Sequence, residues 1–471
     1  MKLRKHKMRK KYQYKQVIMF LLNIVLLLCM TGIYAYIWYN SYAYSESMIE
    51  PFFRRGNYVV IGQYALMTFF FNKLFDNFRI GYTRVFEAVF SYSLSILCVN
   101  FVTYLQLCLI GRWAFTEYAQ GMLCLTGMDF IFIFLWIIVT RYICVKLYPP
   151  RDLLLIYGKY SPDRLIEKLS SRSDKYNVKE TISIDEDFEI IKNKLSQYEG
   201  IMLADIPSGI RNKLVKECFE RDIRCYSIPK ISDIMIMNSN SIHLFDTSLL
   251  LFRNSGLSLF QLFWKRVMDV VFSILGLIIA APLMIVIGIV IKCYDGGSVF
   301  YHQERLTQYG KRFQILKFRS MKVASDQDEY YMTRKNDDRV TPFGKVLRSL
   351  HLDELPQLFN ILKGDMSLVG PRPECPDIAE KYSEFLPEFH FRLKVKAGLT
   401  GYAQVYGKYN TIPYDKLKLD LLYIEKYSLL LDLKLILLTV KILFWKEKSE
   451  GIDSWQTTAA TKENLEQVNK Q

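Results

Sequence analysis

A four-helix transmembrane region, a small α/β domain and a mainly helical domain held on one face of a membrane by a re-entrant helix make up the fold this sequence predicts. Three observations predict it. Four long apolar stretches occupy the first 150 residues, short apolar runs alternating with helix-period segments follow, and an apolar segment of 25 residues interrupted by Pro282 comes after them. The chain of 471 residues has room for two or three domains, and 51% hydrophobic with 15% aromatic is high for a soluble protein.

The N-terminal stretches lie at 17–39, 58–71, 85–110 and 122–145, against a need of roughly 20 residues per bilayer crossing. The second is short. Running on through Asn72 and Lys73 to Phe75, with the lysine snorkelling, lengthens it. Eight Lys or Arg between Lys2 and Lys15 place the N-terminus in the cytoplasm by the positive-inside rule. The first stretch is long and has no small-residue cleavage site, so it reads as a retained span and not as a signal peptide. Four crossings return the chain to the cytoplasm at 146–151. Lys73, Arg79 and Arg84 between the second and third spans agree with that topology, whereas Arg54 and Arg55 in the first outer loop do not. Region one is therefore 1–150.

A net charge of +15, much of it beside the membrane, suits an anionic lipid surface and phosphate-bearing substrates. No nucleic-acid-binding module is visible, and none is expected to be a partner. Nine scattered cysteines show no paired spacing, which argues against a disulfide framework or a zinc site.

Over 151–257 the pattern predicts strands at 153–157, 200–204 and 223–228, with helices at 162–170, 187–197 and 208–221. This is a Rossmann-like α/β domain with a parallel sheet. Its first strand turns through Gly158-Lys159-Tyr160-Ser161-Pro162, and a single glycine falls short of a pyrophosphate-binding loop, so a structural or regulatory role is expected. Two acidic triplets, Asp185-Glu186-Asp187 and Asp326-Gln327-Asp328, match a metal-binding pattern of glycosyltransferases, and Tyr331 with Lys335 matches a dehydrogenase pair. In a chain with 47 acidic residues and 32 tyrosines, such matches carry no weight without context.

The third region is expected over 258–448, with a polar tail at 449–471. Its apolar segment, 267–291, is long enough to span. Lys265 and Arg266 before it and Lys292 after it choose no side. A crossing here would strand all later basic residues outside, so a helix that enters, breaks at Pro282 and returns is preferred, with Ser273 or packed neighbours satisfying the broken backbone. The closing stretch 429–445 carries Asp432, Lys434, Thr439 and Lys441 and suits an interfacial helix.

The run 352–373, LDELPQLFNILKGDMSLVGPRP, sets Asp353 beside Glu354 and ends in the rigid basic turn Gly370-Pro371-Arg372-Pro373. Adjacent carboxylates near an apolar surface raise each other's pKa unless a cation compensates. One could attack an electrophilic phosphorus while the other holds a divalent cation. Equally, the pair could mark a helix N-terminus, where the macrodipole welcomes acids. Residue type alone leaves both readings open.

Around that run stand GGSVFYHQERLTQYGKRFQILKFRSM, DDRVTPFGKVLRSLHLDELPQLFNILKGDMSLVGPRPE and VKAGLTGYAQVYGK. In this order and density, over roughly 265–445, they resemble the bacterial sugar transferases called monotopic phosphoglycosyl transferases, and the four preceding spans resemble the long hexose-1-phosphate-transferring branch. The resemblance implies an undecaprenyl-phosphate hexose phosphotransferase at the cytosolic face of the bacterial inner membrane, starting capsule, exopolysaccharide or O-antigen synthesis. Asp353 would attack the β-phosphorus of a UDP-sugar, releasing UMP and holding the phosphosugar covalently until undecaprenyl phosphate takes it. Glu354 matches the residue associated with Mg²⁺. Lys317, Arg319, Arg348, Arg372 and Gln404 fall at substrate-binding positions. Galactose or glucose is the expected sugar, and a homodimer is compatible with the layout. Ala281 and Ala397 stand where the family usually has serine and proline. Two other readings are a membrane-anchored nucleotide-sugar dehydratase, opposed by the missing glycine-rich loop, and a non-catalytic assembly scaffold, opposed by intact Asp353, Glu354 and Arg372.

Overall fold

The computed structural model describes residues 2–44, 54–79, 81, 85–111, 115–147, 149–158, 161–252, 256–321, 339–407 and 411–443. They fall in two compact units, Met1–Pro150 with Arg172–Lys175, and Arg151–Ser171 with Tyr176–Gln471.

In the first unit, α1 (Lys2–Ile37) runs into a π-helical turn at Trp38–Tyr42, followed by α2 (Arg54–Leu74), α3 (Val85–Ile110) and α4 (Phe115–Leu147). Aromatic side chains make much of its core: Tyr34 stacks on Tyr64 at 4.0 Å, and Trp38 buries fully while donating to Asn57 at 2.9 Å. Such rings fill space and still satisfy their polar ends. Three of the four helices are long and apolar enough to cross a membrane, over Val17–Tyr42, Val85–Ile110 and Phe115–Lys146. The expected second span forms as α2, but Arg54, Arg55, Asn57, Gln63, Asn72 and Lys73 keep its 21 residues below that level.

The second unit opens with β1 (Arg151–Tyr157), α5 (Asp163–Ser170), β2 (Tyr176–Ser183), α6 (Phe188–Leu195), β3 (Gly200–Ala204), α7 (Ser208–Glu220), β4 (Arg224–Ser227) and α8 (Ile231–Ile236). The four strands pair in parallel in the order β2-β1-β3-β4. Leu154, Ile156, Ile201 and Leu203 on the central strands meet Ile191, Leu195 and Leu214 from the helices. Strand β2 escapes sequence reading because only Ile182 of its eight residues is buried. Gly158 is required by close approach: a Cβ there would run into the Asp205 carbonyl. Asp187 of the first acidic triplet caps α6, accepting from the Glu189 amide. Asp187 thus acts as a helix cap, and Asp185 accepts from the Ser183 hydroxyl at 3.0 Å. A hairpin, β5 (Asn240–Leu244) with β6 (Thr247–Leu251), follows.

Then come α9 (Leu259–Asp295), the antiparallel pair β7 (Phe300–Leu306) and β8 (Arg312–Phe318), α10 (Pro342–Ser349), α11 (Gln357–Lys363), β9 (Ser367–Val369), α12 (Pro376–Phe385), β10 (Gly398–Thr400), α13 (Tyr402–Tyr406), α14 (Pro413–Glu425) and α15 (Leu429–Leu443). Strand β10 pairs in parallel with β9. Helix α9 is the fourth helix long and apolar enough to cross a membrane. A capping box of Ser258 and Gln261 starts it, and Gly296 at φ 70° ends it.

The break expected at Pro282 does not appear as an interruption: α9 stays helical from end to end. Proline removes one hydrogen bond, which a helix of this length absorbs locally. Nor does Ser273 repair anything; its buried Oγ has no partner among the described residues. Both ends of α9 are fastened to the domain that follows. Lys265 Nζ lies 2.6 Å from Asp432, Arg266 donates to the Ile361 and Leu362 carbonyls that close α11, and Asp269 accepts from Ser367 and Leu368. At the far end Ile287 and Ile291 pack with Phe318 and Leu347. Between them Ile278 and Ile279 are exposed. On α15, Asp432 is buried against Lys265, and Thr439 donates to Thr400 at 2.7 Å. Both polar residues thus face the domain. Asp326, Asp328, Tyr331, Lys335 and the tail 449–471 lie outside the described residues.

Candidate active site

Helix α10 begins at Thr341, whose hydroxyl accepts from the Gly344 amide, and runs to Ser349. His351 then takes a left-handed conformation, φ 55°, which turns the chain into a 3-10 turn, Leu352–Glu354. Asp353 and Glu354 sit in that turn, ahead of α11, with relative exposures of 7% and 9%. The pair thus stands just ahead of a helix start and is buried there, where a charge needs a partner.

Two cations reach Glu354 from other elements. Lys317, near the end of β8, donates from Nζ to Oε1 at 2.9 Å, and Arg372, in the turn after β9, donates from Nη2 to the same oxygen at 2.7 Å. Burial pushes the Glu354 carboxyl up, but Arg372 and Lys317 together outweigh it and hold the group well below the usual range. Asp353 differs. Its buried Oδ1 has no hydrogen-bond partner among the described residues. Burial first, and the Glu354 charge second, push its carboxyl above the ordinary value, against the pull of Lys317, Arg348 and His351. Adjacent in sequence, one carboxylate is neutralised and the other is left poised.

Of the residues singled out from sequence, Lys317, Glu354 and Arg372 meet directly. Arg348 acts on Asp353 through its charge, while its Nε donates to Ser320 at 2.8 Å. Arg319 lies elsewhere, its guanidinium against Gly297. Gln404, on α13, donates to the Leu399 carbonyl at 3.1 Å and has no direct hydrogen bond to either carboxylate. Beside the Arg372 turn opens a cavity of about 410 Å³, floored by Pro371, Pro373 and Phe389.

Sequence reading missed a second group of charges behind that turn. Glu374 accepts from Arg392 at 3.2 Å and from Lys416, and Arg392 pairs with Asp420 at 2.8 Å. Glu374 directly follows the GPRP run and could have been flagged with it; Arg392, Lys416 and Asp420 have no local signature.

For a metal, the described residues hold no group of three or more His, Cys, Asp or Glu side chains. Two adjacent carboxylates, one with a buried oxygen left without a partner, nonetheless supply hard oxygens of the kind Mg²⁺ takes together with substrate phosphates and water.

The family model of the bacterial sugar transferases matches residues 260–446. A UDP-glucose:undecaprenyl-phosphate glucose-1-phosphate transferase of Klebsiella pneumoniae is 39% identical over 218 residues, covering 45% of this chain and 47% of that protein. An undecaprenyl-phosphate galactose phosphotransferase of Salmonella typhimurium is 35% identical over 238 residues, 47% of this chain and 49% of its own. The exopolysaccharide production protein ExoY of Sinorhizobium fredii is 39% identical over 191 residues, which are 37% of this chain and 83% of ExoY. The chain spans about half the length of the Klebsiella and Salmonella proteins.

Proposed function

Since the chain belongs to the bacterial sugar transferase family, we propose that it transfers a sugar-1-phosphate from a UDP-sugar to undecaprenyl phosphate. One observation carries the reading: a buried Asp353 with an unpartnered oxygen, next to a Glu354 that gathers Lys317 and Arg372. Asp353 attacks the β-phosphorus, the bond to the bridging oxygen breaks, and UMP leaves with that electron pair. A phosphate oxygen of undecaprenyl phosphate then attacks the same phosphorus, restoring the Asp353 carboxylate and forming the lipid-linked diphosphosugar. Lys317 and Arg372 clamp the donor phosphates where charge builds up, with Arg348 beside them. Glu354 fixes both clamps and, with Asp353 and the donor phosphates, would hold Mg²⁺; when bound, that ion draws charge off the phosphate oxygens. Arg319 and Gln404 are assigned the outer part of the substrate site.

Glucose or galactose is the proposed sugar, following the names of the relatives. The middle domain is read as Rossmann-like without a nucleotide role. Helix α9 is read as re-entrant, with its bend at Pro282 taken up inside a continuous helix: a helix crossing the bilayer would place its ends on opposite sides, yet Lys265 and Ile291 both pack on the same domain. With the basic N-terminus inside, the site faces the cytosol of the inner membrane. The test is to incubate membranes carrying the protein with UDP-glucose or UDP-galactose, Mg²⁺ and undecaprenyl phosphate, and to assay UMP. Release that disappears in Asp353→Asn is expected; no release with either sugar, or full activity in that variant, overturns the proposal.

A further inference from the structure

The turn that presents Arg372 is held by its carbonyls. Four in a row each accept one donor: Pro371 from the Gly398 amide at 2.9 Å, Arg372 from Arg392 Nη2 at 2.9 Å, Pro373 from Arg305 Nη1 at 3.1 Å, and Glu374 from the Leu306 amide at 3.0 Å. The outer two are backbone bonds of the kind neighbouring strands supply. The inner two come from arginine side chains. With Pro371 and Pro373 lacking N–H groups, the turn cannot form a continuous ladder there.

Arg392 is itself locked. Its side chain is 3% exposed, Nη1 donates to Glu374 at 3.2 Å, Nη2 lies 2.8 Å from Asp420, and its guanidinium sits 4.9 Å from the Phe389 ring centre. Lys416 closes the group on Glu374. Arg305 is held by Gln303, whose Oε1 accepts from its Nη2 at 2.6 Å. A planar fork can reach several acceptors at once in fixed geometry; an ammonium on a flexible stem cannot.

We infer that Arg392 and Arg305 are positioning residues that fix the Arg372 turn so that its guanidinium meets Glu354 and the donor phosphate. Neither arginine touches the reacting atoms. This inference rests on the transfer reaction proposed above for its kinetic arm and on geometry alone for its exchange arm.

The experiment uses the full chain in membranes or detergent. In Arg392→Lys, which keeps the charge and removes the fork, kcat/KM is expected to fall about 100-fold, the scale of a misplacement near 1 Å. In an Arg372→Ala background the same change is expected to cost less than about twofold, because Arg392 acts only through Arg372. Multiplying losses, or wild-type activity in Arg392→Lys, overturn the inference. Hydrogen exchange gives the second arm: the Gly398 and Leu306 amides, which donate to the Pro371 and Glu374 carbonyls, should exchange about tenfold faster in Arg392→Lys with the thermal transition unmoved. Unchanged exchange at the turn, or a uniform rise across the domain with a lowered transition, assigns Arg392 a purely structural role. Arg305→Lys carries both arms if Arg392→Lys does not fold. If wild type releases no UMP from either sugar, the reaction reading fails while the exchange arm still decides whether the arginines fix the turn.

Discussion

Two clusters of buried charge lie on either side of the Gly370–Glu374 turn, and they are balanced differently. Behind the turn, Glu374, Arg392, Asp420 and Lys416 each have an opposite charge in contact. In front of it, Glu354 has two cations, one of them Arg372 with a side chain 41% exposed, while Asp353 Oδ1 has no hydrogen-bond partner among the described residues. A buried network in which every charge is paired resists change, since removing one member leaves an uncompensated charge. Asp420 also lacks a hydrogen bond to its buried oxygens but has the Arg392 charge 2.8 Å away, whereas Asp353 has no ion pair among the described residues and its Oδ1 no hydrogen bond. The first cluster is paired charge for charge and the second leaves one carboxylate unpaired among the described residues, and a single turn joins them.

The sharpest way to break this contrast is at Asp353. Asp353→Asn keeps the shape and removes the proposed nucleophile, so UMP release should fall at least about 10⁴-fold with the thermal transition retained; a loss matched by unfolding would erase the distinction between the clusters. Next in size is a saturated pair elsewhere in the same domain. Lys265→Met leaves Asp432 buried and short of its cation, and unfolding free energy should drop by about 3–5 kcal/mol in denaturant titration. Arg372→Ala then tests the connecting residue, with a loss in kcat of about 10²–10³-fold expected from removal of one charge-stabilising donor.

Smaller effects sharpen the comparison through pH. Because Asp353 is raised partly by the Glu354 charge, the acid limb of kcat/KM should lie above the ordinary carboxylate range and move to lower pH in Glu354→Gln. A limb that stays in place would deny the coupling. Glu374 runs the other way, lowered from 4.5 to about 2: burial raises it, and Lys416 and Arg392 more than reverse that. A depressed folded-state pKa gives stability that is complete above 4.5 and is lost as pH falls toward 2. Glu374→Gln should therefore flatten the acid end of the stability curve over that window.

Much of the candidate site is legible in sequence because it is local: Asp353-Glu354 is a dipeptide and GPRP a turn. The strands β1 and β3 are legible too, as solid apolar runs, and both are buried along most of their length. Strand β2 is not, since an edge strand with one buried residue lacks the apolar signal. Asp432 misleads in the opposite direction. In sequence it is a charge that suits a membrane surface, and in the fold it is a buried partner of Lys265, 167 positions away.

By itself, the sequence determines which segments are apolar enough to enter a membrane, where the parallel sheet has its central strands, and where two carboxylates stand side by side ahead of a rigid basic turn. These depend on composition and short periods, which act within a few residues. Only the tertiary structure decides that Asp353 Oδ1 has no hydrogen-bond partner among the described residues while Glu354 takes Lys317 and Arg372, 37 and 18 positions away, and that two arginines support the turn between the clusters. Charge pairing depends on distance in space and on burial, and neither is written in the spacing of residues along the chain.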